Sequence, residues 1–274
     1  MSFDDLKILL KQKFGFPVAW GNAYKLCDLK PAYGYIFENE INGYDFWGHC
    51  DVDLIFGDIR KFLKNSVFQK YDKILTCGHL SIFRNNYDTN RWFMTLPPID
   101  SKYSYDKIFQ YSENLAFDEF GGKESWGGMV QMIRNCNIPI YDEMDFDDIR
   151  QTQKSFYSRR LITGKPYTLK ELSKMPSYYS YCNGKLFRHI MTPEGEDISE
   201  SLYVHFQKRN MQVAENVDSN DFIIVPNIFL PSITNINDVW KRSRYTSIYL
   251  PYLNRRFHNL IRKIKKILKG KRYV

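Results

Sequence analysis

The chain has 274 residues, 43% of them hydrophobic and 26% charged, a mixture that supports a packed core without disulfide staples and excludes disorder over most of its length. Its net charge of +8 is unevenly placed, because residues 241–274 hold twelve Lys or Arg and no acid, leaving 27 basic against 31 acidic residues in 1–240. A mildly acidic body with one basic extension argues against a nucleic-acid module, which carries basic and aromatic residues on the fold itself, and points to a binding or catalytic domain with an electrostatic anchor.

Phe3, Leu6, Leu9, Leu10 and Phe14 recur near helical spacing, and Gly15 with Pro17 ends that helix. A short strand over 18–20 is expected next, then two helical pieces over 23–39, the second opening at Pro31. The aromatic run 44–50, behind Asn42-Gly43, predicts a strand that enters the core and ends at Asp51-Val52-Asp53. Further strands are expected over 73–77 and 138–141, a helix over 105–117, and a turn and helix over 126–136. Asn183-Gly184 between two aromatic-bearing runs predicts a hairpin over 178–190, and 201–206 and 222–225 predict two more strands. Strands and helices alternate through the first half, so the class expected for 1–240 is one α/β domain with an open sheet, followed by a basic amphipathic tail, 241–274.

Two acids at i, i+2 beyond a strand can hold a divalent cation through hard oxygens, and that cation neutralises the diphosphate of a nucleotide. Asp145-Phe146-Asp147 has the same spacing as Asp51-Val52-Asp53, so context separates the two. Asp51 and Asp53 directly follow an apolar strand, where open α/β sheets seat their ligands. Asp145 to Asp148 form an acid run before Ile149-Arg150, which predicts a solvated helix start. The plainer alternative for Asp51 and Asp53 is a pair of turn aspartates, one capping a helix near Asp58. Five cysteines, Cys27, Cys50, Cys77, Cys136 and Cys182, never form a CxxC pair and predict reduced, mostly buried thiols. Met1-Ser2-Phe3-Asp4-Asp5 lacks the features of a signal peptide, and no run of eighteen apolar residues occurs, so a cytoplasmic location is expected.

A resemblance reaches beyond the acidic pair. The blocks Tyr24-Lys25-Leu26-Cys27-Asp28-Leu29-Lys30-Pro31-Ala32-Tyr33-Gly34, Gly43-Tyr44-Asp45-Phe46-Trp47-Gly48-His49-Cys50-Asp51-Val52-Asp53 and Phe56-Gly57-Asp58-Ile59-Arg60 resemble a bacterial family of glycosyltransferase-like proteins from surface-polysaccharide loci. They are distantly similar to the DXD region of GT-A glycosyltransferases. Phe117-Asp118-Glu119-Phe120-Gly121-Gly122 resembles the acidic acceptor-side motif, and Tyr203-Val204-His205-Phe206-Gln207-Lys208-Arg209 the late strand whose histidine completes a metal site. The resemblance covers scattered blocks between residues 20 and 210. It implies a GT-A-like, Rossmann-related open α/β sheet. The first strand-helix-strand unit is expected to be missing, since only about fifty residues precede the DXD.

The activity so implied is transfer of a sugar from a nucleotide-sugar donor to a hydroxyl of a lipid-linked glycan, in capsule or O-antigen synthesis. The implied place is the inner face of the plasma membrane, as a peripheral protein. Asp51, Asp53 and His205 would hold Mn²⁺ or Mg²⁺, the imidazole favouring Mn²⁺. Lys25, Asp28, Asp51 and Lys208 would meet the donor, and Asp118 or Glu119 would act on the acceptor hydroxyl, as general base in an inverting mechanism or by positioning it in a retaining one. Trp126, flanked by Gly121-Gly122 and Gly127-Gly128, is expected as a sugar platform because glycines allow close approach. Plainer readings stay open: His205 as an ordinary core or surface histidine, and Lys25, Lys30, Lys208 and Arg209 as surface charge. Two other functions also stay open, a truncated and catalytically impaired transferase remnant, and another metal-dependent phosphate-binding protein.

In the tail, Phe257, Leu260, Ile261, Ile264, Ile267 and Leu268 recur at three- and four-residue intervals, with Arg255, Arg256, Arg262, Lys263, Lys265, Lys266 and Lys269 on the flanks and back. Gly270 ends this helix, and an anionic membrane surface is its expected partner, with no nucleic acid. The alternative is an amphipathic helix packed on the protein's own core.

Overall fold

A computed structural model describes residues 1–100, 103–121, 127–244 and 249–270, and of 262, 263 and 266–270 the backbone alone. In chain order the described strands are β1 (Phe46–Cys50), β2 (Leu54–Phe56), β3 (Lys73–Cys77), β4 (Leu80–Arg84), β5 (Ile140–Tyr141), β6 (Asp147–Asp148), β7 (Ser177–Cys182), β8 (Lys185–Thr192), β9 (Gly195–Ser201), β10 (Tyr203–His205), β11 (Gln212–Val213), β12 (Asp221–Val225) and β13 (Ile228–Pro231). The chain divides into two compact units, Met1–Val52 with Leu63–Glu143, and Asp53–Phe62 with Met144–Val274. Both are built on open sheets with helices, a mixed α/β architecture. Among the described residues no helix is long and apolar enough to cross a membrane.

The first unit opens with the helix Phe3–Phe14. Ser2 accepts the Asp5 N–H while the Asp5 carboxylate takes the Ser2 N–H, and Gly15 closes the other end at φ 78°. Its apolar side enters a core built around Leu10, Leu29, Trp47, Phe93, Phe109, Phe117 and Ile133. Phe14 meets the rings of Phe16, Tyr35, Phe93 and Phe109 at 5.1–6.0 Å between centroids, so aromatic edges and faces fill most of this layer. The sheet runs β1-β4-β3-β5, antiparallel except for the parallel β3–β5 pair. Trp47 on β1 stacks on Phe83 of β4 at 4.7 Å and donates its indole N–H to Asn90 at 2.7 Å.

Three local expectations change here. Residues 18–20 are not a strand; the Ala19 N–H makes a single bond to the Phe109 carbonyl at 2.9 Å and no ladder follows. The helix expected over 105–117 is only Tyr105–Gln110, because the Leu115 and Phe117 N–H groups bond the buried Asp28 carboxylate at 3.0–3.1 Å. That acceptor, supplied by a distant residue, outweighs local helix propensity. All five cysteines are free, as expected, yet none is fully buried: Cys50 and Cys182 are exposed and the others half-buried.

In the second unit a three-stranded sheet, β2-β10-β6, pairs β10 antiparallel to β2 and parallel to β6. A six-stranded sheet, β11-β13-β12-β7-β8-β9, carries the expected hairpin at Asn183-Gly184, where φ is 48° and 82°. Ile149, Phe156, Tyr179, Leu186, Val204, Phe206 and Ile224 form its principal core. Gly57 lets two backbones touch. A β-carbon there would sit 2.5 Å from the Ser201 carbonyl oxygen, while the Gly57 N–H bonds the Leu202 carbonyl at 2.8 Å.

The acid run 145–148 corrects the sequence expectation most. It is no solvated helix start; Asp147 and Asp148 form β6 and are buried. Asp147 accepts from Arg188 at 3.1 Å and Ser201 at 2.6 Å and pairs with Arg160 at 3.0 Å. Burial alone would raise its pKa, and the two guanidiniums more than compensate, holding it below the usual carboxylate value.

Candidate active site

Two clusters of polar side chains stand out, one in each unit. In the second unit, β2 and β10 pair His205 opposite Leu54, and the Phe206 N–H bonds the Asp53 carbonyl at 3.1 Å, which fixes Asp53 beside the end of β10. His205 Nε2 lies 3.3 Å from Asp53 Oδ1, and His205 Nδ1 lies 2.9 Å from Asp148 Oδ1. The parallel register that sets His205 beside Asp148 explains the second contact. Asp53 Oδ2 accepts the Lys208 N–H at 3.0 Å, and the Gln207 amide donates to Asp148. Gln207 and Lys208 both adopt positive φ, 47° and 63°, an unfavoured backbone for residues with side chains. The bonds to Asp148 and Asp53 tie that turn down.

The electrostatics follow. Burial disfavours a charged imidazole, but the hydrogen bonds it donates to both carboxylates outweigh that and raise His205 to about 9. The bond to His205 lowers Asp53 to about 2, against burial. Without a metal this is a carboxylate–imidazolium–carboxylate chain. With Nδ1–H held by Asp148, the remaining ring nitrogen points at a carboxylate, which is the donor arrangement of histidines that ligate metals through one nitrogen and are oriented through the other.

In the first unit, the Asp51 N–H bonds the His79 carbonyl at 2.9 Å, and Lys30 Nζ donates to Asp51 Oδ1 and to the Gly78 carbonyl, both at 2.8 Å. Asp118 Oδ2 lies 3.4 Å from the same ammonium. Burial raises Asp118 to about 7, with Lys30 opposing the shift and Glu119 adding to it. Glu119 itself accepts the Gly78 N–H at 2.7 Å. Gly78 is required by this crowding, since a β-carbon would fall 2.4 Å from Asp118 Oδ2. Of the two adjacent acids named from sequence, Glu119 holds the β3–β4 turn and Asp118 has the protonation equilibrium near neutrality.

The sequence-selected residues therefore sort unevenly. Within the second unit Asp53 and His205 come together, and within the first unit Asp51 is bound to Lys30. Lys25 and Asp28, expected at the donor, are fully buried and spent on the fold: Lys25 Nζ donates to Asp28 at 2.9 Å and to the Ile108 carbonyl at 2.6 Å. Lys208 contributes its backbone N–H. Arg209 is consumed by the carbonyls of Arg150, Gln153, Lys154 and Ser155. Trp126 and the side chains of Arg262, Lys263 and Lys266 lie outside the described residues. Sequence reasoning missed Asp148, since nothing in a chain pattern joins it to a residue 57 positions later. It read Lys30 as a diphosphate or surface charge, whereas Lys30 is the cation between two acids.

Fold and clusters together define a mixed α/β protein of two units with open sheets and a partly buried carboxylate–histidine–carboxylate chain. The chain belongs to the family DUF6625, a family of unknown function, whose model matches residues 1–233. Comparison with curated proteins and with solved structures returns no significant match.

Proposed function

We propose that the protein is a metal-dependent glycosyltransferase of the GT-A kind, which moves a sugar from a nucleotide-sugar donor to a hydroxyl of a glycan acceptor in surface-polysaccharide synthesis. The observation that carries the reading is the Asp53–His205–Asp148 chain at the end of β10, with Asp53 completing an Asp-x-Asp that follows β1. The donor set fits a divalent cation: Asp53 offers carboxylate oxygens, and His205 offers Nε2 once its proton leaves. Asp148 keeps the Nδ1 proton and fixes the ring. An oxygen and nitrogen donor pair favours Mn²⁺ over Mg²⁺. When bound, such a cation offsets the charge of a diphosphate leaving group. In the transfer, the bond from the sugar to the diphosphate breaks with its electron pair on the phosphate oxygen, and the acceptor hydroxyl bonds to the sugar and gives up its proton. That proton goes to a general base; taken by itself, the Asp118 carboxyl of the first unit has the equilibrium near neutrality that such a base needs, with Lys30 stabilising its charged form.

The test is calorimetric titration of Mn²⁺ together with uridine, guanosine or cytidine diphosphate into the full chain. Binding of a nucleoside diphosphate that needs Mn²⁺, and is lost in Asp53→Asn, supports the reading. Nucleoside diphosphate binding that ignores both the metal and the substitution contradicts it.

A further inference from the structure

The C-terminal helix Leu250–Gly270 leaves an apolar stripe uncovered. Leu250, Leu253, Phe257, Leu260 and Ile264 follow one another at three- and four-residue steps and are 43–69% exposed, whereas Ile261 is half-buried. A helix packed on its own core would bury that stripe. Five large apolar side chains in a row on one helix face form a contiguous patch, unlike the scattered exposed hydrophobics that any surface carries.

The charge beside the stripe identifies what would cover it. Residues 241–274 hold twelve Lys or Arg and no acid, and Arg256 and Lys265 are exposed on the helix itself. A second copy of the chain would bring two such basic segments face to face, which like-charge repulsion opposes. An anionic lipid surface satisfies both features at once, because acyl chains receive the stripe and headgroups receive the cations. Arg255 has a separate duty: its guanidinium donates to the Lys208 carbonyl at 3.2 Å and to the Gln151 side chain at 3.0 Å, clasping the helix to the turn whose Lys208 N–H holds Asp53.

We infer that the helix Leu250–Gly270 is an interfacial membrane-docking element that lays its Leu253–Phe257–Leu260–Ile264 face into an anionic lipid surface. This goes beyond the transferase reading and does not depend on it. Given the Arg255 clasp, deletion of the helix would disturb the Asp53 turn as well as docking, so point changes on the stripe are the cleaner probe.

The experiment sediments the full chain with vesicles of phosphatidylcholine alone or with phosphatidylglycerol added, beside a duplex DNA control. Wild type is expected to pellet with the anionic vesicles only. The bound fraction should fall several-fold at about 1 M salt, where the screening length shrinks to roughly 3 Å. The double variant Phe257→Glu, Leu260→Glu changes two exposed side chains, so circular dichroism should stay that of wild type while vesicle partitioning drops by about tenfold or more. Failure to bind either vesicle, wild-type binding by the folded double variant, or binding to DNA in preference to anionic vesicles would each overturn the inference.

Discussion

Replacing Asp148 with Asn tests the histidine chain at its least visible member. The change removes the negative charge 2.9 Å from His205 Nδ1 and keeps an acceptor of the same shape. His205 sits at about 9 where an ordinary histidine titrates near 6.5, a difference worth about 3 kcal/mol in favour of the imidazolium. Two carboxylates share that preference, and the Asp148 contact at 2.9 Å is shorter than the Asp53 contact at 3.3 Å, so at least half, about 1.5–2 kcal/mol, belongs to Asp148. His205 in the variant should then titrate near ~7.5. Because the folded value lies above the unfolded one, the stabilisation is complete below pH 6.5 and disappears as the pH rises through about 9. In the metal-free variant it should be smaller by that ~1.5–2 kcal/mol and vanish about one and a half pH units earlier. Proton NMR of the His205 ring across pH 5 to 10, with thermal melts at both ends, reads both effects. A wild-type His205 titrating near 6.5, or a value that Asp148→Asn leaves in place, would refute the reasoning.

Three further outcomes follow from the other cluster and the clasp. Lys30→Met removes the ammonium between Asp51 and Asp118, and since Asp118 already titrates at about 7, the loss should be about 3 kcal/mol above that pH and much smaller at pH 5, where Asp118 is protonated; urea melts at pH 5 and 8 that show equal losses would contradict it. Asp28→Ala strands the fully buried Lys25 and the N–H groups of Leu115 and Phe117, and should cost about 3–5 kcal/mol in chemical denaturation, whereas a loss under about 1 kcal/mol would mean these bonds are replaceable. Arg255→Ala frees the Lys208 carbonyl, so exchange protection of the Lys208 N–H that holds Asp53 should fall by about tenfold; unchanged protection would show that the turn does not need the clasp.

The parts of this structure that were legible in sequence are those fixed by local pattern. Asn183-Gly184 dictates a hairpin because left-handed backbone is needed at both positions, and β3 falls where the apolar run 73–77 placed it. The pairing of Asp53 with His205 was reached through resemblance, since a separation of 152 positions leaves no spacing to read. What stayed hidden depends on tertiary partners. Asp147 and Asp148 look like surface acids until Arg160, Arg188 and His205, from three different segments, surround them. Asp28 and Lys25 look like ligand groups for the same reason in reverse, because no sequence shows that the carbonyl of Ile108 and the N–H groups of Leu115 and Phe117 will consume them. A charged side chain's neighbours decide between ligand and staple, and neighbours are set by the fold.

The central claim is that Asp53 and His205 serve metal-dependent transfer of a sugar. It is tested most directly by incubating the full chain with a panel of nucleoside-diphosphate sugars and following release of the nucleoside diphosphate, with Mn²⁺, with Mg²⁺ and with chelator, in wild type and in Asp53→Asn. The account predicts release from at least one donor that requires the cation and falls by about a hundredfold or more in Asp53→Asn, whose amide keeps the shape of the carboxylate and loses its charge. Release that persists in chelator, or that Asp53→Asn leaves intact, would contradict it.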